Sequence, residues 1–377
     1  MSGLGPRYVP RDLVDREGEF RELVRFFRPL LEGGAGQKVL IHGPGGSGKT
    51  ALALRFGRML ESAAGGKGFH LKCLYIDCRE LRTDYPIARR LASCYGLNLP
   101  WRGYSTQYCL ENIVEKLSGG RTRLALILDW LDLHIRQCGS ELPYLLCRQW
   151  DGREGPNRIS LISISRDPHL LDLLDGTAQS TFLHNGVGLG GYSARQLEEI
   201  LLDSVEVAFV RGAVSEGTVG LISKVASERG DAGLAIRLLR RAGEIADEEG
   251  AREVIPEHVE RAKVLVHPKA WEEDLETLRG HERLLLTALM RRLRRSGRTF
   301  VLTGELLEEY RNLSEERGES PVSCKQVGKL VRWMSGLGLI EASPFRGGHR
   351  GLSKRIGIPG MTAPLPKGEQ MFTLFGY

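Results

Sequence analysis

The stretch Lys38-Val39-Leu40-Ile41-His42-Gly43-Pro44-Gly45-Gly46-Ser47-Gly48-Lys49-Thr50, followed by Ala51-Leu52-Ala53-Leu54, decides the fold. It reads as an apolar strand, a glycine loop and the start of a helix. From Gly43 to Thr50 the spacing is G-x-x-x-x-G-K-T, which is what a nucleoside triphosphate requires. Glycines let backbone N–H groups close around phosphate oxygens, and the helix N-terminus adds partial positive charge. Gly43, Pro44, Gly45, Gly46, Ser47 and Gly48 form the expected cradle. Lys49 is expected to reach the β- and γ-phosphates, and Thr50 to hold Mg²⁺.

Outward from the loop, strands alternate with helices. Upstream, Phe20, Leu23, Val24, Phe27 and Leu30-Leu31 repeat at helical spacing and end near Gly33-Gly34. Downstream, Leu71–Cys78 fits a second core strand, and Pro86–Tyr95 and Tyr108–Leu117 are helical. Leu124–Asp132 and Arg158–Arg166 are near-continuous apolar runs, the pattern of parallel strands covered on both faces. The expected fold class is therefore α/β, a parallel sheet with a phosphate loop.

Beyond Ser193 the pattern turns wholly helical, with Ala194–Arg211, Thr218–Glu228, Ala232–Glu249 and Ile255–Val264, and His267-Pro268 closes this all-α part. The last part reads as helices over Glu282–Leu293, Gly304–Glu316 and Ser323–Leu337, with Ser323 as N-cap. Strands at Leu339–Ala342 and near Lys354–Ile358 flank the turn Pro344-Phe345-Arg346-Gly347-Gly348-His349-Arg350-Gly351. Three helices and a basic hairpin make a winged helix. The expected divisions are an N-terminal arm (1–20), a nucleotide-binding sheet domain (21–192), a helical lid (193–268) and the winged helix (269–377).

At 377 residues and 41.9 kDa the chain exceeds one ordinary core. Its 41% hydrophobic and 27% charged residues are those of a soluble globular protein. No apolar run spans a bilayer and Met1–Pro10 is not a signal peptide, so no membrane association and a cytoplasmic location are expected. The seven cysteines are scattered, without a C-x-x-C pair, which argues for reduced thiols rather than a zinc or disulfide framework. Residues 261–377 hold 20 Lys and Arg against 13 Asp and Glu, an excess larger than the +6 of the whole chain. A polyanionic partner therefore belongs to the C-terminal third.

In a winged helix the third helix can enter the major groove while the hairpin grips the neighbouring backbone. Ser323, Lys325, Gln326 and Lys329 sit at the N-terminal end of that helix, where base edges are read. Arg346, His349, Arg350, Lys354 and Arg355 are the candidate phosphate contacts on double-stranded DNA. The competing reading is a solvated basic face on a module that binds protein.

Taken in order, these parts resemble the archaeal origin-recognition and licensing initiators of the AAA+ class. The resemblance runs through Tyr8-Val9-Pro10, Asp15-Arg16-Glu17, Gly43–Thr50, Tyr85-Pro86, Arg102-Gly103-Tyr104-Ser105 and Gly230-Asp231-Ala232. It continues through Leu238–Ala246 to His281-Glu282. It implies ATP or ADP between sheet domain and lid, with Mg²⁺, and origin DNA as ligand. Other initiator paralogues and a replicative helicase are further implied partners. A helical insertion touches DNA in that family, and Pro100–Leu117 matches its position, so Arg102 and Tyr104 are implied contacts.

The chain departs from the family around the γ-phosphate. Where the family ends an apolar strand in Asp-Glu, Leu124–Leu128 leads into Asp129-Trp130. Asp129 can still organise Mg²⁺, but an indole cannot accept a proton from water. Asp132 is the available substitute base. The polar Asn expected after Ile159–Ser165 is Arg166, a cation that can meet the γ-phosphate. The lid's Gly-Asp-Ala-Arg is Gly230-Asp231-Ala232-Gly233, with Arg237 one turn later as stand-in. Phosphoryl transfer rests on positioning and charge, so these changes suggest a nucleotide- and DNA-binding initiator paralogue with weak or absent hydrolysis. An active ATPase switch using Asp132 and Arg166 is the alternative. A signalling ATPase or transcriptional regulator with a protein-binding winged helix is a third.

Overall fold

The computed structural model describes residues 13–98, 100, 103–118, 122–148, 151, 154–167, 169–174, 176, 179, 185–263, 266, 278, 280–336, 339–345 and 353–358. The chain divides into two compact units, residues 1–262 and 263–377.

In the first unit, β1 (Lys38–His42), β2 (His70–Asp77), β3 (Thr122–Asp129), β4 (Ile159–Ser165) and β5 (Gly186–Gly188) form one sheet in the order β2-β3-β4-β1-β5. Every pairing is parallel. The two-residue period of the strands divides the core cleanly. Leu124, Leu126, Leu128, Ile159 and Leu161 join one cluster with Ile87, Leu91 and Ile113, from the helices α3 (Asp84–Cys94) and α4 (Thr106–Ser118). Ala125, Ile127, Ile162, Ile164, Val39 and Ile41 join the other. There they meet Leu23 and Phe27 of α1 (Glu17–Leu31) and Leu52 and Phe56 of α2 (Lys49–Gly65). Both faces are dry, as the unbroken apolar runs required.

One run is shorter than the pattern indicated. The strand expected to reach Asp132 stops at Asp129, because Trp130 takes a left-handed conformation (φ +60°, ψ +38°) and α5 (Leu131–Cys138) starts immediately. Asp132 therefore lies in the first turn of a helix. A further short helix, α6 (Glu141–Arg148), was not expected. The lid, continuous with this unit, consists of α7 (Ala194–Ala208), α8 (Glu216–Ser227), α9 (Ala232–Glu248) and α10 (256–263). Ser193, Ser215 and Asp231 accept from the first-turn N–H groups of α7, α8 and α9, the capping that fixes where each begins.

The second unit contains α11 (Gly280–Ser296), α12 (Thr303–Glu316) and α13 (Cys324–Gly336). Its antiparallel sheet has the order β6 (Phe300–Leu302), β8 (Ser353–Gly357), β7 (Glu341–Phe345). β6 was unexpected, since three residues are too few to show alternation. β7 lies later than the expected Leu339–Ala342, because Leu339 and Ile340 are spent as buried residues of the preceding bend. Among the described residues no helix is long and apolar enough to cross a membrane.

Candidate nucleotide site and winged-helix surface

A cavity of about 280 Å³ lies between the sheet and the lid. The loop end is lined by Gly46, Gly48, Lys49 and Thr50, the strand ends by Asp129, Trp130, Ser165 and Arg166, and the lid side by Ile200, Asp203, Ala232, Gly233 and Ile236. Of the expected nucleotide residues, Gly43, Pro44, Gly45, Ser47 and Arg237 do not line this cavity, and neither does Asp132.

Lys49 opens α2 and is 7% exposed. Its ammonium donates to the carbonyls of Gly43 (2.9 Å) and Pro44 (2.7 Å). Burial pushes its pKa down to about 8, and Arg166 adds to the shift, while Asp129, Asp132 and Asp231 oppose it. Thr50 Oγ1 donates to Asp129 Oδ2 at 2.7 Å, and the Tyr75 hydroxyl donates to the same oxygen at 3.0 Å. Trp130 N donates to Asp129 Oδ1 at 2.9 Å. Burial raises the Asp129 carboxyl above its ordinary value, and the hydrogen bonds from Thr50 and Tyr75 work against that rise.

The indole of Trp130 meets two guanidinium groups, Arg166 at 3.9 Å and Arg79 at 4.5 Å from the ring centroid. Arg79 is also paired with Asp77 (Nη2 to Oδ2, 2.8 Å), the residue registered beside Asp129 on β2. The Arg166 guanidinium lies against the phosphate loop, 3.6 Å from where a side chain on Gly45 would start. Asp132 is buried in α5. Arg237 stands beside Gly233 and lies 3.9 Å from the Asp231 carboxylate.

Sequence reasoning gave no role to a tie on the opposite side of the loop. The Arg16 guanidinium donates to Ser47 O (3.0 Å), Gly190 O (2.6 Å) and the Tyr192 hydroxyl (3.3 Å), and lies 4.2 Å from the Tyr192 ring centroid. The Tyr192 hydroxyl in turn fills the space beside Gly48, leaving 2.5 Å to a side chain's first atom. Arg16 belonged to the quoted Asp15-Arg16-Glu17, which marked the segment without showing what it grips. Nothing in the sequence singled out Tyr192. The lid also reaches the loop directly: Ala232 N donates to Gly46 O at 3.1 Å.

On the winged helix, Val327, Val331 and Met334 are buried, while Lys325, Gln326 and Arg332 are exposed and Lys329 partly so. Ser323 and Gln326 close a reciprocal cap: Gln326 N donates to Ser323 Oγ (3.3 Å) and Ser323 N to Gln326 Oε1 (3.1 Å). Lys354 is partly exposed, and the exposed Arg355 lays its guanidinium against Phe300 (4.8 Å) and Phe345 (4.6 Å). In the first unit Tyr104 stacks on Tyr108 with centroids 4.8 Å apart, both rings substantially exposed. Arg102, Arg346, His349 and Arg350 lie outside the described residues.

A parallel sheet with its phosphate loop after β1, an acidic residue ending β3, a helical lid over the cavity and a C-terminal winged helix define an AAA+ P-loop protein. Comparison with known proteins narrows the class. Residues 198–264 match the Cdc6 AAA+ ATPase-type lid domain, and residues 273–360 the C-terminal winged helix domain of CDC6. The ORC1-type DNA replication protein 2 of Saccharolobus solfataricus is 32% identical over 97% of this chain and 90% of its own. The ORC1-type DNA replication protein 1 of Sulfurisphaera tokodaii is 29% identical over 94% of this chain and 88% of its own. Among solved structures, Aeropyrum pernix ORC1 in complex with DNA is 30% identical, with a TM-score of 0.69, covering 94% of this chain and 92% of that one. The chain belongs to the family of ORC1-type replication initiators.

Proposed function

We propose that this initiator binds ATP or ADP with Mg²⁺ between sheet and lid, binds double-stranded origin DNA through its winged helix, and hydrolyses ATP slowly or not at all. Nucleotide binding rests on the joined set of Lys49, Thr50 and Asp129. The Thr50 hydroxyl and the Asp129 carboxylate are hard oxygen donors on one hydrogen bond, the donor type that suits Mg²⁺. The ion would neutralise charge on the phosphates, with Lys49 and Arg166 as the chain's own cations there.

The observation that carries slow hydrolysis is Trp130. Among the described residues lining the cavity the only carboxylates are Asp129 and Asp203. Asp129 is engaged by Thr50 and Tyr75, and Asp203 lines the lid side with Ile200. Where a base is needed next to Asp129, an indole packs against two guanidinium groups instead. Asp132 does not line the cavity, which favours this reading over an ATPase that uses it as base. Single-turnover hydrolysis of radiolabelled ATP, with and without duplex DNA, tests the proposal. Tight retention without turnover is expected. Turnover that is lost in Lys49→Ala and Asp132→Asn would overturn it.

For DNA, the support is the family's winged helix and the exposed cations of α13 and the hairpin. Lys325 and Lys329 are the direct candidates, whereas Gln326 must leave its cap on Ser323 before it can read a base. Lys325→Ala with Lys329→Ala is expected to lower affinity for all duplexes and to reduce the salt slope by about 1–2. An unchanged slope would remove α13 from the interface. Other initiator paralogues and a replicative helicase belong to the same reading as partners, since both act where origins are opened.

A further inference from the structure

Away from the nucleotide cavity, α5 and the N-terminal turn of α3 bring together three side chains of different donor type. His134 and Cys138 are four residues apart on α5, hence on one face of the helix. Asp84 comes from the first turn of α3. One ligand atom from each of the three lies within 4.8 Å of the other two. His134 Nε2 and Asp84 Oδ1 are 2.7 Å apart, and Cys138 donates its S–H to the carbonyl of Arg82 at 3.1 Å. The His134 side chain is fully buried, whereas Asp84 and Cys138 reach the surface. Among the described residues His134 Nδ1 is buried without a hydrogen-bond partner.

The geometry points to a site for a borderline-soft divalent cation of the zinc type, held by the Asp84 carboxylate, the His134 imidazole and the Cys138 thiolate with water in the fourth position. One nitrogen, one oxygen and one sulfur donor within 4.8 Å of one another is a set that such a cation accepts and that Mg²⁺ or Ca²⁺ does not favour. The partial exposure of Asp84 and Cys138 supplies an entry path and room for the water. Binding replaces the hydrogen bond between His134 and Asp84: the Cys138 thiol loses its proton to solvent, and the imidazole proton moves to Nδ1. Because Nδ1 meets no acceptor among the described residues, they do not supply the outer hydrogen bond that usually orients a ligating histidine. That lowers its affinity by about 10–100-fold relative to a fully supported site.

The position gives the ion something to act on. α5 begins directly after Trp130, and the loop between β2 and α3 carries both Arg79, which packs on Trp130, and Arg82, whose carbonyl now holds Cys138. An ion bridging α5 and α3 would fasten together the two segments that place the indole and one of its guanidinium partners.

The test is a Co²⁺ titration of the full-length, chelator-treated protein, followed by absorption. One equivalent should give the thiolate-to-cobalt charge-transfer band with the intense visible bands of tetrahedral cobalt, displaced by Zn²⁺. Cys138→Ser, a near-isosteric change at a partly exposed position, should abolish the charge-transfer band. His134→Gln should weaken binding by at least about tenfold. Cys324→Ser, at an exposed thiol in the other unit, should change nothing. Absence of the band in the unaltered protein, or its survival in Cys138→Ser, would overturn the assignment. Neither result bears on nucleotide or DNA binding.

Discussion

Trp130 holds a left-handed backbone conformation at φ +60°, which costs a large side chain about 1–2 kcal/mol. Packing against Arg79 and Arg166 offsets that cost, by about 0.5–2 kcal/mol per cation–π contact according to exposure. If the indole occupies the place of a catalytic base, Trp130→Glu should raise single-turnover hydrolysis by on the order of 10²-fold. The variant should leave nucleotide affinity near that of the parent, and unchanged turnover would mean that the arginine at 166 and the glycine at 233 limit the reaction on their own. Gly48 is the opposite case, a residue that must have no side chain. Its φ is +89° and the Tyr192 hydroxyl occupies the space where a Cβ would sit. Gly48→Ala should destabilise the loop by about 1–3 kcal/mol and abolish retention of nucleotide in a filter-binding measurement.

At the scale of elements, the winged helix is tied by carboxylates between arginines. Glu305 caps the start of α12 through Leu302 N (2.8 Å) and meets Arg292, while Glu316 pairs with Arg291 (2.6 Å). The backbone hydrogen bond from Leu302 holds Glu305 below its ordinary value of 4.5, and the hydrogen bond from Arg291 does the same for Glu316. Both carboxyls are depressed in the folded chain, so they contribute stability that is present above pH 4.5 and lost as the pH falls through their lowered values. Calorimetric melting from pH 6 downward should therefore show the transition of residues 263–377 falling below about pH 4.5, with Glu305→Gln flattening the fall. A transition insensitive to acid would remove these pairs from the stability of the domain.

Elements were also where the sequence was most and least legible. The near-continuous apolar runs within Leu124–Asp132 and Arg158–Arg166 announced buried parallel strands, since both faces needed apolar cover. The phosphate loop was legible because its glycines are demanded by backbone geometry within one short stretch. The end of β3 was not: past Asp129 the apolar residues resume at Trp130-Leu131, and only the backbone angle of Trp130 separates strand from helix. β6 was hidden by its length, pairing as it does with β8 some fifty residues later. The grip of Arg16 on Ser47, Gly190 and Tyr192 joins positions 31, 174 and 176 residues apart, which no local pattern encodes.

For the first unit as a whole, the phosphate loop, the N-terminal helix and the lid are joined rather than merely adjacent. Arg16 connects the first two to the Gly190–Tyr192 connector, and Ala232 N connects the lid to Gly46 O. Arg16→Ala removes the hydrogen bonds to Ser47, Gly190 and Tyr192 together with the one to Glu19, and should speed release of a fluorescent adenine nucleotide by at least about tenfold, from the loss of about 1.5–3 kcal/mol of charge-assisted bonding. A release rate equal to that of the parent would show that the loop is held by the lid alone. The connector itself is pinned where Tyr192 N donates to Gly230 O, with Gly191 and Gly230 in backbone contact on either side of the lid's first two helices. If hydrolysis is as slow as proposed, chemistry does not set how long the loaded form lasts. Its lifetime would then be that of a mechanical event, the parting of two glycines, and the molecule would keep time by opening rather than by reacting.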